Sequence, residues 1–425
     1  IQKQSGSHIS NQFMTKSHWA IFTDNNSLKD DFIHSLQKGA NNDLKELKDL
    51  NGALFSKKVL ERFIDEEDRH DTKVINVGKN QSVKSMSSGE QKKALLNYLL
   101  SLNPDFLILD NPFDNLDVES QADLKVRLNQ VRMDVIIVQL NSRKEDVLPF
   151  TDRFAKLTGK ELYFYDNSEQ LTPIELPKSF DKSIPEPPFH YDYDKDILIE
   201  LKGVSVKYLD KAILQNIHWS IKKGEFWELR GRNGSGKTTI LSMITGENPK
   251  GYGQELYIFG NKKGSGESVW EIKKRIGYFT PFITNKFTGY HSVEHMIISG
   301  LKDSIGLYTK PSEIQKRLAK QWLQLIDMWS IKDHLFHDLT MGQKRLIMCA
   351  RAMVKHPPLL ILDEPTAGLD DQSAALFVAL VNKFAKASNT TTIFVSHRKE
   401  PGLNPDLIYQ LEVDDQGSKG YVIKN

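Results

Sequence analysis

The sequence predicts an α/β protein in which two domains with parallel-sheet cores follow each other along the chain, the first of them shortened. Three observations support this fold class. Short apolar runs, such as 106–109 and 359–362, alternate with longer helical stretches, which is typical of a doubly wound sheet. The 425 residues are enough for two domains. A set of motifs also occurs twice at a nearly constant spacing.

Composition restricts the possible partners. Lys and Arg number 57 against 55 Asp and Glu, and this balance argues against nucleic acid or an anionic lipid surface as a general partner. The apolar runs are far shorter than the roughly 20 residues that cross a bilayer. The single cysteine, Cys349, excludes a disulfide within the chain and a zinc site built on several thiolates. We therefore expect a soluble, cytoplasmic protein without zinc.

A proline-rich segment divides the chain. Residues 172–196 contain five of the 16 prolines, and proline favours extended backbone. We predict a first domain over residues 1–171, a linker over 172–196 and a second domain over 197–425.

The two domains carry matching motifs in the same order. Gly342 lies 21 residues before Asp363, and Gly89 lies 21 residues before Asp110. The offset between the copies is therefore 253 at both points. An apolar run ends at the acidic residue in each copy, so each motif falls at the end of a predicted strand.

A glycine-rich loop in the second domain predicts a phosphate site. Residues 231–238 fit the pattern G-x-x-x-x-G-K-[ST], follow an apolar strand and open a helix. Glycines let backbone N–H groups turn towards an anion, and the helix N-terminus adds positive charge. We expect Lys237 to reach the β- and γ-phosphates of ATP and Thr238 to hold Mg²⁺. The residues assigned to the nucleotide here are Gly231, Asn233, Gly234, Ser235, Gly236, Lys237, Thr238 and Thr239.

Two carboxylates end the apolar strand at 359–362. Asp363 is the candidate second contact for Mg²⁺, and Glu364 is the candidate base that polarises the attacking water. An acidic pair at a strand end is often only a solvated turn. Beside the glycine-rich loop, it indicates hydrolysis of a phosphate.

Further motifs complete a family pattern. They are a signature loop at 339–343, a D-loop at 368–370 and a switch histidine, His397. With them, the second domain resembles the nucleotide-binding domains of ABC ATPases, and residues 19–148 resemble these domains more weakly. Among such proteins the chain is similar to tandem ATPases of the ModF and PhrA type, which are associated with molybdate transport.

The resemblance implies an arrangement and a function. Both domains would pair head to tail, so that ATP lies between the P-loop of one and the signature loop of the other. Tyr208, which lies 29 residues before Lys237, would stack on adenine, although a core tyrosine at a strand end is the alternative. His397 would contact the γ-phosphate. The chain would be an ATPase that energises a membrane-spanning transporter subunit, peripheral to the inner face of the membrane.

The second domain departs from the family pattern at two points. The glutamine that usually follows the strand at 276–279 is absent, and the role of Thr280 in its place is left open. The signature reads Thr340-Met341 where Ser-Gly is usual, so Met341 is expected to crowd the approach to ATP. A regulatory module that binds ATP with little turnover therefore remains an alternative function.

The P-loop of the first domain is degenerate. At an offset of 208 it corresponds to residues 23–30, where Asn26 and Leu28 replace glycines. Asp30 and Asp31 follow, and we expect an acidic site that repels phosphate by roughly 1 to 4 kcal/mol per charge. The offsets of 208 and 253 differ by 45, so 45 residues are missing between this loop and the signature. We assign them to the β and helical subdomains.

The first domain also lacks a base but keeps its signature loop. Asn111 stands where Glu364 stands in the other copy, and an amide cannot act as a general base. We predict that the first signature loop completes a single ATP site in trans, although serine before glutamate also fits a helix cap. A soluble ATP-switched binder of ribosomes or nucleic acid is a further alternative. The residues assigned to the loop are Ser87, Ser88, Gly89 and Glu90.

Overall fold

The computed structural model of the chain describes residues 16–25, 27–70, 73–75, 82–170, 180–191, 193, 195–284, 287 and 289–424. Within this described part, no helix is long and apolar enough to cross a membrane. We call residues 16–170 the first half and residues 197–424 the second half.

The described residues of the first half form one six-stranded sheet flanked by helices. The strands are β1 (Trp19–Thr23), β2 (Gly52–Phe55), β3 (Phe106–Asp110), β4 (Ile136–Asn141), β5 (Arg153–Thr158) and β6 (Glu161–Tyr165). The helices are α1 (Lys29–Gln37), α2 (Lys57–His70), α3 (Ser88–Ser101) and α4 (Val118–Val131). The strand order is β2-β3-β4-β1-β5-β6, and neighbouring strands are parallel except for β5 and β6.

The described residues of the second half form a six-stranded and a four-stranded sheet. The strands are β7 (Ile197–Tyr208), β8 (Lys211–Lys222), β9 (Phe226–Gly231), β10 (Leu256–Ile258), β11 (Asn261–Lys262), β12 (Ile276–Phe279), β13 (Leu359–Asp363), β14 (Thr391–Val395), β15 (Leu407–Glu412) and β16 (Lys419–Lys424). The helices are α5 (Lys237–Ile244), α6 (Val269–Lys274), α7 (Pro281–Thr284), α8 (Val293–Ser299), α9 (Glu313–Leu325), α10 (Met341–Met353) and α11 (Asp371–Ala387). The larger sheet has the order β12-β13-β14-β9-β15-β16, and the antiparallel smaller sheet has the order β11-β10-β7-β8.

The two six-stranded sheets are copies of one plan. Their strand orders correspond one to one, with β1 in the place of β9. Central strands such as β3 and β13 are apolar along four successive residues that are fully buried, because helices cover both faces of a parallel sheet. The predicted fold class is confirmed. The carboxyl ends of β9, β13 and β14 meet at one edge of the second sheet, which is where such sheets bind ligands.

The shortening of the first half is located in two places. Matching residues lie 208 positions apart in β1 and β9, 224 apart in β2 and β12, and 253 apart in α3 and α10. The second half carries β10, β11 and α6 before β12, and it carries α7, α8 and α9 after it. Among the described residues of the first half, only α2 stands between β2 and the short 3₁₀ turn before α3. The missing residues therefore belong to both the β and the helical parts.

The described residues of the predicted linker lie against the second half. Ile184 is buried in the same apolar cluster as the helices of that half, and Phe180 packs against the cluster. Lys383 Nζ on α11 donates to the carbonyl oxygen of Phe180 at 2.7 Å. Residues 172–179 of the predicted linker lie outside the described residues, and the domain boundaries stay predictions.

Candidate active site

The P-loop joins β9 to α5. Gly234 and Gly236 have left-handed backbone angles, with φ of 77° and 92°, which residues with a side chain rarely adopt. A Cβ atom on Gly236 would also lie 2.5 Å from the side chain of Leu214. The buried hydroxyl of Ser235 has no hydrogen-bond partner among the described residues. A glycine turn that ends at a helix N-terminus presents N–H groups to an anion. The buried hydroxyl of Ser235 is available to the same anion.

Lys237 begins α5, and its side chain folds back over the loop. Its Nζ donates to the carbonyl oxygens of Gly231 at 2.6 Å and Arg232 at 2.9 Å. Burial lowers the pKa of Lys237, while the nearby carboxylates of Glu364 and Asp363 act in the opposite direction. The ammonium group therefore lies at the P-loop with acidic groups close by.

Asp363 and Thr238 are the candidate Mg²⁺ contacts. Burial raises the pKa of Asp363 to about 6, and the charge of Glu364 contributes to the same shift. Thr238 lies in the first turn of α5 and is exposed, and Thr239 follows it. Both a carboxylate and a hydroxyl are thus placed at the ends of elements that meet at one edge of the sheet.

Tyr278 was not among the residues predicted from the sequence. It lies on β12, which runs beside β13, and its hydroxyl donates to Asp363 Oδ2 at 3.3 Å. The available signal was a tyrosine near the carboxyl end of the strand next to the acidic strand. Thr280 follows β12, and its carbonyl oxygen accepts from the N–H of Ile283 at 3.0 Å.

Glu364 and His397 form a contact pair at the ends of adjacent strands. His397 Nε2 touches Glu364 Oε1, and both side chains are largely buried. Glu364 has a φ of 50°, which is unusual for a residue with a side chain, and its N–H donates to Val395 O at 2.9 Å. The parallel pairing of β13 with β14 brings the two side chains together.

The first half meets the P-loop at Asn233. The side-chain nitrogen of Asn233 donates to Ser88 Oγ at 2.9 Å and to Asn115 O at 3.1 Å. Its backbone N–H donates to Asp117 Oδ2 at 2.9 Å. Asp117 also caps α4 by accepting from the N–H of Ser120. The loops before α3 and α4 of the first half therefore lie directly against the P-loop of the second.

The other residues of the first signature loop shape its helix. Ser87 and Glu90 form a capping box, in which each side chain accepts from the N–H of the other residue at 3.3 and 2.8 Å. A Cβ atom on Gly89 would lie 2.7 Å from Ser120 Oγ, so glycine lets α3 approach α4. The helix cap is thus present, and Ser88 supplies the described contact of this loop with the P-loop.

A cleft opens beside this contact. Ser87 and Ser88 line it from the first half, and Lys211, Asn233 and Gly234 line it from the second. The cleft therefore has the P-loop on one wall and the first signature loop on the other.

Tyr208 stands at the edge of this cleft. It pairs with Lys211, one of the lining residues, across the β7–β8 turn. Its hydroxyl accepts a hydrogen bond from Asn248 at 2.7 Å, and the ammonium of Lys250 lies 5.6 Å from its ring centre. These contacts fix the ring, and stacking on adenine stays a prediction.

In the matching loop of the first half, two side chains are bound to other groups of the protein. Lys29, which corresponds to Lys237, forms an ion pair with Asp110 Oδ1 at 2.7 Å. Asn25 Nδ2 donates to Ser373 Oγ of the second half at 2.6 Å. The cation that would reach a phosphate is thus held by the acidic residue that ends β3.

The expected acidity of this loop needs a correction. Asp30 pairs with Lys58 at 2.6 Å, and Asp31 lies 3.7 Å from Lys160. Both carboxylates are largely exposed and face lysines, so they are not the main obstacle to phosphate. Asn26, which the sequence analysis placed in the same loop, lies outside the described residues.

Asn111 has the same backbone conformation as Glu364 but carries an amide in place of the carboxylate. Its φ is 43°, and its N–H donates to Leu140 O at 3.0 Å, which is the same strand-end contact. Its side-chain oxygen accepts from the N–H of Ser142 at 2.9 Å. The amide therefore serves the local structure.

Residues 214–367 match the family model described as ABC transporter. The chain is 38% identical over 359 residues to the ABC transporter ATP-binding protein ModF of Escherichia coli strain K12, and the match covers 80% of this chain and 72% of that protein. The chain belongs to the ABC transporter ATP-binding protein family. As a member of this family, it is an ATP-binding ATPase.

Other relatives agree with this assignment. An uncharacterized ABC transporter ATP-binding protein of Schizosaccharomyces pombe is 30% identical over 330 residues, covering 75% of this chain and 66% of that protein. The solved structure of an archaeal ribosome recycling factor with a ribosomal stalk protein matches with a TM-score of 0.62 and 14% identity, covering 96% of this chain and 86% of that one. The RNase-L inhibitor matches with a TM-score of 0.60, 14% identity and the same two coverages. These two structures support the two-domain ABC ATPase fold alone.

Proposed function

We propose that the chain binds one ATP with Mg²⁺ between its two halves, hydrolyses it there, and thereby energises a membrane transporter. The contact of Asn233 with Ser88 and Asp117 carries this proposal, because it joins an intact P-loop to the other half. In the opposite loop, Lys29 is paired with Asp110. One site is thus built from both halves, while the other holds an internal ion pair.

Thr238 and Asp363 would hold the Mg²⁺, since hydroxyl and carboxylate oxygens are suitable ligands. The raised pKa of Asp363 reflects a buried negative charge beside Glu364, which a cation would offset. Among the described residues, no group of three or more His, Cys, Asp and Glu could hold a metal ion alone. Phosphate oxygens and water would complete the coordination. Bound there, Mg²⁺ neutralises negative charge on the phosphates.

Glu364 is the proposed base. Its carboxylate would take a proton from water as the water oxygen attacks the γ-phosphorus, and the bond to the ADP oxygen breaks. His397 Nε2 touches this carboxylate, so the histidine would fix the direction of Glu364, and its ring would contact the γ-phosphate. Lys237 would exchange its two carbonyl acceptors for phosphate oxygens. Each of these groups comes from the second half.

Coupling to transport is supported by family membership and by the similarity to ModF. The even count of 57 basic and 55 acidic residues disfavours a general nucleic-acid binder. We therefore propose a membrane-spanning partner subunit, with a molybdate-like anion as the cargo that the ModF and PhrA resemblance suggests.

Nucleotide stoichiometry tests the site. We expect one tightly bound ATP per chain, measured by equilibrium dialysis with labelled nucleotide. Two ATP of equal affinity would contradict the single composite site.

Co-purification tests the coupling. Affinity purification of the Glu364→Gln chain from detergent-solubilised cells should recover a multi-span membrane protein. RNase-sensitive sedimentation with ribosomes would instead favour the ribosome binder. Tight retention of ATP with negligible turnover by the unmodified chain would favour the regulatory module.

A further inference from the structure

The turn that follows Glu364 is held from the first half by one buried arginine, Arg143. Its Nε donates to Leu369 O at 2.8 Å, and one terminal nitrogen donates to Thr366 O at 3.1 Å. The other terminal nitrogen lies 3.3 Å from Glu400 Oε2. All three acceptors belong to the second half, whereas Arg143 follows β4 of the first. The guanidinium group thus bridges the D-loop turn and a buried carboxylate.

This turn needs external support. Glu364 adopts a φ of 50°, and such a conformation persists where the surroundings over-determine it. Within the turn, Ala367 N–H donates to Glu364 O at 3.2 Å, and Leu369 N–H donates to Thr366 O at 3.1 Å. Arg143 binds the same Thr366 oxygen. The contact from the first half therefore adds a hydrogen bond to the same turn whose backbone hydrogen bonds shape the chain directly after Glu364.

The reciprocal contact supports the histidine of the pair. Arg398 corresponds to Arg143 at an offset of 255, and its NH1 lies 2.8 and 3.0 Å from the two carboxylate oxygens of Asp146 in the first half. Arg398 directly follows His397, so this ion pair restrains the backbone beside the histidine. In the first half the corresponding turn carries Asn111. Arg398 NH2 also lies 3.7 Å from Asp114 Oδ1 of that turn, where an amide stands in place of the base.

We infer that Arg143 is a positioning residue for hydrolysis, acting across the interface on the backbone that directs Glu364. The inference rests on the proposed hydrolysis at the composite site. A guanidinium is needed because it donates in three fixed directions, whereas a lysine ammonium has a single nitrogen and no planar fork. The contacts of Asn233 with the first half do not pass through Arg143. Its loss therefore acts on the chemical step rather than on ATP binding.

Steady-state kinetics test this inference with Arg143→Lys and Arg143→Gln. We expect kcat to fall at least tenfold in both, with KM for ATP within twofold of the unmodified chain. Arg127→Gln, at an exposed arginine on α4 that donates to Asn97, is the matched control and should leave both constants unchanged. Arg143→Lys keeps a positive charge beside Glu400 but loses the planar guanidinium, so a fall in kcat of this variant reports the lost geometry. Thermal unfolding of each variant monitors whether the fold is kept.

ATP retention provides a second readout. In a Glu364→Gln background, adding Arg143→Gln should leave the retained ATP unchanged. Lost retention would reveal a general role in holding the interface and would overturn the inference, as would a kcat of Arg143→Lys within twofold of the unmodified chain. The proposed function fails in a different way: the unmodified chain would not hydrolyse ATP, or Glu364→Gln alone would not retain it.

Discussion

The side-chain nitrogen of Asn233 lies 2.9 Å from the hydroxyl oxygen of Ser88, although the two residues are 145 positions apart in the chain. The Ser88 hydroxyl in turn donates to Asn115 O at 3.2 Å, so the signature loop and the loop before α4 of the first half meet the P-loop together. The first half thus provides one wall of the cleft beside the P-loop of the second half. The effects of substitutions should differ between the two sides of the interface.

A pair of glycine substitutions tests this asymmetry. Gly89→Ala would place a Cβ atom 2.7 Å from Ser120 Oγ, in the turn whose Asp117 binds the P-loop. We expect ATPase activity to fall at least tenfold, a loss of about 1.4 kcal/mol of transition-state stabilisation. Gly342→Ala creates a similar clash, 2.3 Å from Ser373 Oγ, at the opposite interface and should cost less than twofold. Equal losses in the two variants would contradict a single active site.

The base is tested by Glu364→Gln. Removing a general base typically lowers the rate by about 10² to 10⁴, and the shape of the side chain is kept, so ATP should be retained without turnover. Filter binding and phosphate release measure the two properties. Rapid turnover by this variant would exclude the assigned role.

The reverse substitution, Asn111→Glu, should restore no activity in the first half. The amide it replaces accepts from Ser142 N–H, and Lys29 is held by Asp110. A new carboxylate would therefore find no phosphate to act on. A doubling of turnover would show that the first half binds ATP productively.

Two lysines at matching positions should differ in their effect on binding. Lys237→Met removes the ammonium group from the intact P-loop, and bound ATP should fall from one per chain to none at concentrations that saturate the unmodified chain. Lys29→Met removes the partner of Asp110 in the degenerate loop and should leave one ATP bound. Isothermal titration calorimetry measures both. A reduced stoichiometry in Lys29→Met would mean that the degenerate loop takes part in binding.

The sequence was sufficient for the parts of the site that are local. The P-loop glycines and the acidic end of β13 are encoded by short patterns of apolar and special residues. Asn111 was also recognisable as a replaced base, because the repeat offset of 253 aligns it with Glu364.

The contacts that close the interface were not predictable in this way. The Lys29–Asp110 pair and the bonds of Arg143 join residues far apart in the chain, and no periodicity specifies such partners. Tyr278 was not predicted as a site residue because the sequence does not show that β12 lies beside β13 in the sheet. The aspartates after Lys29 were misjudged for the same reason, since their lysine partners lie on other elements.

A half-buried lysine near the interface predicts a dependence of stability on pH. Lys92 on α3 donates to Pro112 O at 2.8 Å and Asp114 O at 2.6 Å, and burial lowers the pKa of Lys92 to about 8. The folded-state pKa thus lies below the unfolded value of 10.5, so the unfolded chain binds more protons between these values. The contribution of Lys92 to the free energy of unfolding therefore rises as pH rises from 8 towards 10.5.

Urea unfolding of the Lys92→Met chain at pH 7, 8, 9 and 10 isolates this contribution. Relative to this variant, the unmodified chain should gain stability across the series, approaching about 3 kcal/mol because each pKa unit corresponds to about 1.4 kcal/mol. Lys93→Met is the matched control, since Lys93 is the next residue on α3 and pairs with Asp123 on the exposed surface. If the curves of the unmodified and Lys92→Met chains run parallel, the folded chain holds the proton of Lys92 as tightly as the unfolded one, and the ammonium is solvated rather than buried against the turn that carries Asp114.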